Sequence, residues 1–323
     1  MQTVVVTDDR HHDYSIERTL LEREGLALEV HDFRTLEEAA PHLGRADALL
    51  LNLFALDATA VPHLKRCRVV SRYGTGYDNV DVAAMTRAGI WVARVPDYAT
   101  EDASDHALAL LLAAVRQLGS RDRAIRAGRW NVDPVAPVRR LAGATLGIAG
   151  LGRVGRAMIR KVQGFGLERI LVYDPHKSDA TVQAAGGKPV DLLTFLRECD
   201  LVSWHVPLTD ETRRLIGRRE FGLVRPGAVW VNTARGSIMN EEALADALAA
   251  GRIAYAGLDV FSQEPLDAAS PLRLLDNVIL TDHFGYYSRQ SIVDLKTRAA
   301  ENVIEVLAGR PPIHPVNRIP APD

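Results

Sequence analysis

The chain has 323 residues, which is enough for two domains that each bury their own core. Hydrophobic residues make up 47% and charged residues 25% of the composition, as in globular proteins, so a disordered or low-complexity chain is excluded. With 39 Lys and Arg against 41 Asp and Glu, the formal net charge is −2. Composition therefore gives no electrostatic reason to expect binding to nucleic acid or to an anionic membrane.

The apolar segments and the cysteines predict a cytoplasmic protein. The longest apolar run, residues 107–115, has nine residues where a membrane span needs about twenty, so it predicts a buried helix. The first residues contain no basic segment followed by an apolar block, and we therefore expect no signal peptide. Cys67 and Cys199 stand far apart, which predicts two reduced thiols and neither a disulfide nor a metal site.

Short β-branched runs alternate with amphipathic segments along the whole chain, a pattern typical of parallel α/β sheets. The first hundred residues predict one small doubly wound domain with helices at 15–24 and 82–88. Its strands are expected at 3–7, 27–30, 48–51, 68–71 and 90–94.

A second series follows a long predicted helix at 100–118 and an irregular stretch that contains Pro134 and Pro137. Its strands are expected at 145–149, 170–173, 201–205, 228–232, 256–259 and 278–281. Six strands with intervening helices match the six-stranded nucleotide-binding arrangement.

A glycine-rich turn joins the first strand of the second series to a helix. Gly150, Gly152 and Gly155 have the spacing G-x-G-x-x-G, which allows a tight turn, close approach of a pyrophosphate and close helix–strand packing. The backbone N–H groups near Arg153 and Val154 are expected to face the phosphates. The strand before and the helix after favour dinucleotide binding over a turn that is glycine-rich by chance.

Asp174 follows nineteen residues after Gly155, at the end of the next strand. A carboxylate at this place accepts hydrogen bonds from the ribose hydroxyls and repels a 2′-phosphate, which favours NAD over NADP. Lys177 nearby leaves NADP open as the alternative.

Polar residues follow three strands of the second series. Arg235 follows the strand 228–232, Asp259 ends a strand with Glu264 five residues later, and His283 follows the strand 278–281. In open α/β sheets ligands bind at these carboxyl ends. A guanidinium can hold a carboxylate, and a histidine beside a carboxylate can donate a proton. With a nicotinamide, this set predicts reduction of a 2-keto acid at C2, or oxidation of the 2-hydroxy acid.

Each of these residues alone has an ordinary alternative. Arg235 could pair with a surface acid, Glu264 could be a turn residue before Pro265, His283 could be a loop histidine, and Asp259 could cap the next loop. The joint pattern outweighs these readings. Metal binding is not expected, because no His-x-x-x-His or paired cysteines accompany them. The other histidines, His31 and His42 among them, are interpreted as ordinary loop histidines.

The sequence resembles the D-isomer-specific 2-hydroxyacid dehydrogenase family over nearly its whole length. Within the family, the segment 278–288 and the spacing within the segment 72–81 are most similar to the branch of the C-terminal binding proteins. The matching segments are RYGTGYDNVD (72–81), VPDYATEDASDHALALLL (95–112), LGIAGLGRVG (146–155), HVPLTDETRRLI (205–216), VNTARGSIMNEEAL (231–244), AGLDVFSQEP (256–265) and VILTDHFGYYS (278–288).

The resemblance implies a Rossmann NAD-binding domain, residues 99–288, inserted in a flavodoxin-like substrate-binding domain, residues 1–98 and 289–323. It implies a homodimer, for which the helix 107–115 and the loop around Trp130 are candidate contacts against a plain role in the core. Arg235, Glu264 and His283 would be the catalytic residues, with Glu264 orienting and charging His283. Asp259 would lie near the nicotinamide carboxamide. The further residues implied to bind cofactor are Thr75, His205, Val206, Pro207, Thr212, Thr233, Ala234, Arg235, His283 and Gly285; those implied to bind substrate are Tyr73, Gly74, Thr75, Gly76, Arg235, His283 and Tyr286.

Two departures from the family pattern bear on the site. Asp282 replaces the usual proline before the catalytic histidine; it either adds a second negative charge beside His283 or points to solvent. Tyr286 stands where the C-terminal binding proteins have an aromatic residue that contacts substrate, so it either shapes the pocket for a bulky or apolar substrate side chain or merely packs.

Three functions stay open at this point. The leading one is an NAD-dependent reductase of 2-keto acids that acts on a small molecule and on neither nucleic acid nor membrane. An NAD(H)-sensing dimeric scaffold is the second, although no disordered or charged segment extends the core. Phosphoglycerate dehydrogenase is the third; the missing regulatory domain speaks against it, and Arg72, Arg94 and the pair Arg139–Arg140 are its candidate phosphate ligands.

Overall fold

The structure is a computed structural model that describes residues 1–319. The chain forms two compact units. Unit 1 comprises Met1–Tyr98 and Ser288–Asp323, of which residues 320–323 lie outside the described part, and unit 2 comprises Ala99–Tyr287.

The secondary structure of residues 1–319 alternates between strands and helices. The strands are β1 Thr3–Val6, β2 Ala27–Val30, β3 Ala48–Leu51, β4 Val69–Arg72, β5 Trp91–Ala93, β6 Thr145–Ala149, β7 Arg169–Tyr173, β8 Lys188–Pro189, β9 Leu201–Trp204, β10 Ala228–Asn232, β11 Ile253–Leu258 and β12 Val278–Leu280. The α-helices are α1 Ser15–Arg23, α2 Leu36–Leu43, α3 Val82–Arg87, α4 Thr100–Val115, α5 Leu118–Arg126, α6 Arg153–Lys161, α7 Asp179–Ala184, α8 Leu192–Glu198, α9 Arg218–Leu223, α10 Glu241–Ala249 and α11 Arg289–Leu307.

Unit 1 is built on a parallel sheet with the strand order β2-β1-β3-β4-β5. Its central strands, β3 and β4, are buried at every position, because apolar clusters cover both faces of the sheet. One cluster includes Leu295, Ala299 and Val303 of α11, so the C-terminal helix completes the core that the first hundred residues begin. The order is that of a flavodoxin-like, doubly wound sheet.

Unit 2 is built on a parallel sheet with the strand order β12-β11-β10-β9-β6-β7-β8. The prediction of six strands was wrong, because β8 is a seventh. This strand has two residues, one of them Pro189, and it follows Gly186 and Gly187 without any β-branched run to indicate it. With β8 included, the sheet has the Rossmann order of six strands and β12 as an additional edge strand. The predicted fold class, two doubly wound parallel-sheet α/β domains, is confirmed.

The helix predicted at 100–118 is shorter than expected. α4 ends at Val115, and Gln117 adopts a left-handed conformation with φ of 55° before α5 begins at Leu118. The apolar side of α4, including Ala107, Leu110 and Leu111, belongs to the core of unit 2. This burial accounts for the longest apolar run of the sequence. None of the helices in residues 1–319 is both long and apolar enough to span a bilayer. Both cysteines are buried and form no disulfide.

Candidate active site

The carboxyl ends of three neighbouring strands bring the predicted catalytic residues to one edge of the unit 2 sheet. β10, β11 and β12 are adjacent, and Asn232, Leu258 and Leu280 are paired across them in register. Neighbouring strands lie about 4.8 Å apart, so the loops that leave these ends begin side by side. They carry Arg235, Glu264 and His283 respectively, with Asp259 first in the middle loop.

Glu264 and His283 form a close pair. His283 Nδ1 lies 2.6 Å from Glu264 Oε2, and each side chain is 24% exposed. An imidazole that donates its Nδ1–H to a carboxylate keeps a fixed orientation and a fixed tautomer. The pair therefore presents Nε2 of His283 as a proton donor or acceptor. Asp282, which directly precedes His283 in the chain, is exposed to solvent.

The turn that carries Arg235 is fixed by Asn232, at the buried end of β10. The Asn232 side chain donates from Nδ2 to the carbonyl oxygen of Arg235 at 2.9 Å and accepts from the Ala234 N–H at 3.0 Å. The turn also packs closely on the loop that holds Glu264: a Cβ at Gly236 would collide with the backbone of Phe261, whose N–H donates to Glu264 Oε1 at 3.1 Å. The structure thus places the Arg235 turn against the Glu264 loop.

Asp259 holds the loop that carries His283. Its carboxylate accepts from the Thr281 hydroxyl at 2.6 Å and from the N–H groups of Phe284 and Gly285 at 2.8 and 2.9 Å. The backbone N–H of His283 donates to the Asp259 carbonyl oxygen at 2.8 Å, and His283 itself has a positive φ of 57°. Burial alone would raise the pKa of Asp259, but the hydrogen bonds of its carboxylate, with His106 as well as with Thr281 and the two N–H groups, outweigh burial and hold the pKa below its ordinary value. Asp259 therefore caps this loop, as the simpler interpretation expected. Its contact with the nicotinamide carboxamide stays a prediction.

His106 is a site residue that the sequence analysis missed. It lies on α4, and its Nε2 is 3.0 Å from Thr281 Oγ1 and 3.2 Å from Asp259 Oδ1. It therefore supports the same loop from the helix side. The one signal in the sequence was a titratable residue directly before the apolar run 107–115.

The glycine-rich turn forms a cradle at the start of α6. Gly150 has φ of 93°, and a Cβ at Gly155 would collide with the Gly150 carbonyl oxygen, so both glycines are required by the fold. Gly152 differs, because no other part of the protein lies within 4 Å of the place its Cβ would take. The turn leaves the room that a pyrophosphate needs at the N-terminus of α6, where Arg153 and Val154 begin the helix.

Asp174 lies beside this turn, directly after β7. Its Oδ2 accepts from the Leu151 N–H at 2.8 Å and its Oδ1 from the His176 N–H at 3.1 Å. Each carboxylate oxygen has a second lone pair, so the group is able to accept from ribose hydroxyls as well.

The remaining predicted cofactor residues of unit 2 follow β9 and β10. Burial lowers the pKa of His205 to about 4, so this ring is neutral, and its Nε2 lies 2.9 Å from Ser203 Oγ. Thr212 donates from its hydroxyl to the Pro207 carbonyl oxygen at 2.6 Å and so closes the loop that begins with Val206. Next to Ala234, the Thr233 hydroxyl is buried and has no hydrogen-bonding partner within residues 1–319. An orphaned buried hydroxyl beside the catalytic loops fits a polar group of a bound cofactor.

The second glycine-rich loop belongs to unit 1. Tyr73 is buried and donates from its hydroxyl to Glu17 Oε1 at 2.8 Å, while Gly74 has φ of 128°. Thr75 is exposed, and its hydroxyl donates to the carbonyl oxygens of Val95 and Pro96. The expected roles of Tyr73, Gly74, Thr75 and Gly76 toward substrate, and of Thr75 toward cofactor, stay predictions.

Comparison with known proteins shows the family of the chain. The sequence model of the NAD-binding domain of D-isomer specific 2-hydroxyacid dehydrogenases matches residues 108–285. A glyoxylate reductase of Korarchaeum cryptofilum is 40% identical over 267 residues, 81% of this chain and 80% of that protein. A D-3-phosphoglycerate dehydrogenase of Archaeoglobus fulgidus is 34% identical over 298 residues, 92% of this chain but only 56% of that protein.

A solved structure with the same architecture is D-lactate dehydrogenase from Aquifex aeolicus complexed with NAD and lactic acid. It is 26% identical, covers 95% of this chain and 96% of its own, and has a TM-score of 0.86. The family model and the NAD bound in that structure, together with the glycine-rich turn, support NAD as the cofactor. The chain therefore belongs to the D-isomer specific 2-hydroxyacid dehydrogenase family, whose reaction is NAD-dependent hydride transfer at C2 of a 2-hydroxy or 2-keto acid.

Proposed function

We propose that this protein reduces short 2-keto acids, and that Arg235, Glu264 and His283 are its catalytic residues. The observation that carries the proposal is the 2.6 Å pair of Glu264 and His283 at the strand ends where the Arg235 turn also lies. The similarity to a glyoxylate reductase favours a small substrate. We further propose D-stereochemistry at C2, as the family name indicates.

The roles follow from the chemistry of each side chain. Arg235 binds the substrate carboxylate through its guanidinium and polarises the neighbouring carbonyl. When bound, NADH supplies the hydride that is transferred to C2. His283 gives the proton to the carbonyl oxygen from Nε2, because Nδ1 is engaged by Glu264. In the oxidative direction the same nitrogen accepts that proton.

Tyr286 is proposed to contact the substrate side chain. Its ring lies edge-on to the His283 imidazole, with the ring centroids 6.4 Å apart. An aromatic ring beside the proton donor offers apolar area to a methyl or longer group attached to C2. We therefore expect Tyr286→Ala to lower kcat/KM for pyruvate and longer acids more than for glyoxylate, which has no side chain.

The test is a spectrophotometric one. NADH oxidation is followed with glyoxylate, hydroxypyruvate, pyruvate and branched or aromatic 2-keto acids, and then with NADPH. The proposal is supported if turnover disappears in His283→Ala. In Arg235→Ala, KM should increase and kcat/KM should decrease by about 10²-fold or more. Binding of NADH without turnover of any acid contradicts it.

Two other functions are tested in the same series. Phosphoglycerate dehydrogenase is favoured by the 34% identical relative, and oxidation of 3-phosphoglycerate in preference to the short acids would support it.

A scaffold of the C-terminal binding protein type is favoured by the stacked rings of Phe284 and Tyr287, which are 5.0 Å apart and about half exposed. If Arg235→Ala leaves the biological effect and NADH-dependent dimerisation intact, the scaffold is preferred.

A cytoplasmic homodimer is the proposed assembly. Within residues 118–138, five large apolar side chains are at least 45% exposed, which is typical of an interface with a second copy. They are Leu118, Ile125, Trp130, Val135 and Val138. Light scattering of the wild type and of Trp130→Asp tests this; a monomeric wild type would contradict it. The core-facing side of α4 is not part of this surface, since it is buried within unit 2.

A further inference from the structure

Unit 1 brings together three side chains that are ligands of transition metals. Glu29 lies in β2, His31 follows that strand, and His42 lies in the last turn of α2. One ligand atom from each lies within 4.8 Å of those of the other two. The geometry points to a site for a divalent transition-metal ion, with Zn²⁺ as the ion that fits best. Water would complete the coordination, because three protein ligands leave one tetrahedral position open.

The distances are close to those of a zinc site. With metal–ligand bonds of about 2.0–2.2 Å, tetrahedral coordination places neighbouring ligand atoms about 3.3 Å apart. His31 Nε2 is already 3.3 Å from Glu29 Oε2, and His42 Nδ1 is 4.0 Å from the same oxygen. The first distance equals the tetrahedral spacing, the second exceeds it by about 0.7 Å, and the two imidazole ligand atoms lie within 4.8 Å of each other. Two imidazoles and one carboxylate are a donor set that suits Zn²⁺ and disfavours Ca²⁺ or Mg²⁺.

Aromatic packing holds the two imidazoles in place. The ring of Phe33 stacks on His31 with centroids 4.8 Å apart, and it lies 5.1 Å from the ring of His42. The three ligand side chains are only 25–35% exposed, so an ion can reach them from solvent while the protein restricts their rotamers. This preorganisation distinguishes the cluster from histidines that meet by chance on a surface.

Arg45 indicates that a positive charge is favoured at this point. Its Nη2 lies 2.6 Å from Glu29 Oε2 and 2.9 Å from His42 Nδ1, between two of the three ligands. The Arg45 side chain is 52% exposed and can turn toward solvent, so the ion would replace it. Arg45 is therefore a competitor of the metal.

The test is titration calorimetry of the metal-free, full-length protein with ZnCl₂ after removal of any affinity tag. We expect one site whose affinity falls at least about tenfold in His31→Ala and in His42→Ala. Arg45→Ala should bind about three- to tenfold more tightly, because it removes a competing cation. His176→Ala is the matched control: this histidine is paired with Glu211 at 2.8 Å on the surface of unit 2, without the other ligands.

His283→Ala distinguishes the proposed site from zinc held by the catalytic pair. Loss of binding in His31→Ala and His42→Ala, with retention in His176→Ala and His283→Ala, supports the inference. It is overturned if the wild type binds no Zn²⁺, if His31→Ala and His42→Ala bind as the wild type does, or if Arg45→Ala binds more weakly. Keto acid reduction is measured in parallel, and we expect it to be unchanged in His31→Ala and His42→Ala.

Discussion

His283 Nδ1 lies 2.6 Å from Glu264 Oε2, and a second His–Glu pair, His176 with Glu211, has almost the same length at 2.8 Å. The two pairs differ in their surroundings. The side chains of the first are 24% exposed, and those of the second are 69% and 71% exposed. Water screens the surface pair, so the first pair holds its imidazole in one orientation more firmly than the second does.

This difference predicts the effect of removing each carboxylate charge. We expect Glu264→Gln to lower kcat by about 10²-fold, since the amide no longer stabilises the protonated ring. Glu211→Gln should leave kcat unchanged. Steady-state rates with NADH and the preferred keto acid measure both, and quenching of NADH fluorescence checks that cofactor binding persists. Equal effects of the two changes would contradict the assigned role of Glu264.

The second prediction concerns the Asp259 carboxylate. In Asp259→Asn, the amide nitrogen faces an N–H of the loop or the Thr281 hydroxyl instead of accepting from it, which leaves buried donors without acceptors. We expect unit 2 to lose about 1–3 kcal/mol of its free energy of unfolding. Asp246→Asn is the control, since Asp246 is exposed and pairs with Arg218 on the surface. Urea unfolding of both variants gives the comparison, and equal midpoints would show that the loop does not depend on Asp259.

The glycines of the cradle are expected to separate folding from cofactor binding. Gly155→Ala places its Cβ against the Gly150 carbonyl oxygen and should lower the Tm. Gly152→Ala meets no other protein atom within 4 Å, so the Tm should change little, while NADH binding weakens at least about tenfold. Gly164→Ala, also in open space, is the control for both readouts. If Gly152→Ala binds NADH normally, the pyrophosphate does not lie on this turn.

The charge of Asp174 is expected to set the preference for NADH. Asp174→Asn keeps an oxygen that can accept from the Leu151 N–H but removes the charge that repels a 2′-phosphate. The ratio of the Kd for NADPH to that for NADH should fall by about tenfold. Asp179→Asn, at an exposed position in α7, should leave the ratio unchanged. An unchanged ratio in Asp174→Asn would mean that another residue selects the cofactor.

His11 is expected to make unit 1 sensitive to acid. Burial, and then the charges of Lys296 and Arg10, lower the pKa of His11 to about 4. Between pH 6.5 and 4 the unfolded chain binds a proton that the folded one does not. The free energy of unfolding is therefore unaffected by His11 above pH 6.5, and it decreases by up to about 3 kcal/mol as the pH falls to 4. Urea unfolding at several pH values measures this loss.

His11→Phe is the variant that isolates this effect. His11 lies between Tyr14 and Tyr73, with ring centroids 6.4 and 5.2 Å away, so a phenyl ring can keep the packing without the titration. The pH dependence of unfolding between 6.5 and 4 should become flatter. A slope identical to that of the wild type would assign the acid sensitivity to other groups, such as His205 in unit 2.

Several predictions from the sequence agree with the structure because they rest on local or periodic signals. Alternating strands and helices indicated two parallel sheets, and most predicted strands lie within one residue of the observed ones. The glycine spacing indicated the cradle, because glycine readily adopts the positive φ of Gly150 and has no Cβ to block the close backbone contact at Gly155. The misses have equally physical causes: β8 is too short to show a period, and Gln117 ends α4 with a backbone conformation that the sequence did not indicate.

The sequence by itself determined the fold class and the glycine-rich turn, since both depend on neighbours along the chain, and it indicated the residue types of the proposed catalytic set. Only the tertiary structure placed His106 against Asp259 across 153 residues and brought His42 to Glu29 and His31. It also decided which of two similar His–Glu pairs is sheltered from water. Long-range contacts and burial depend on how the helices and strands pack, and this packing could not be predicted from the residue types and their spacing along the chain.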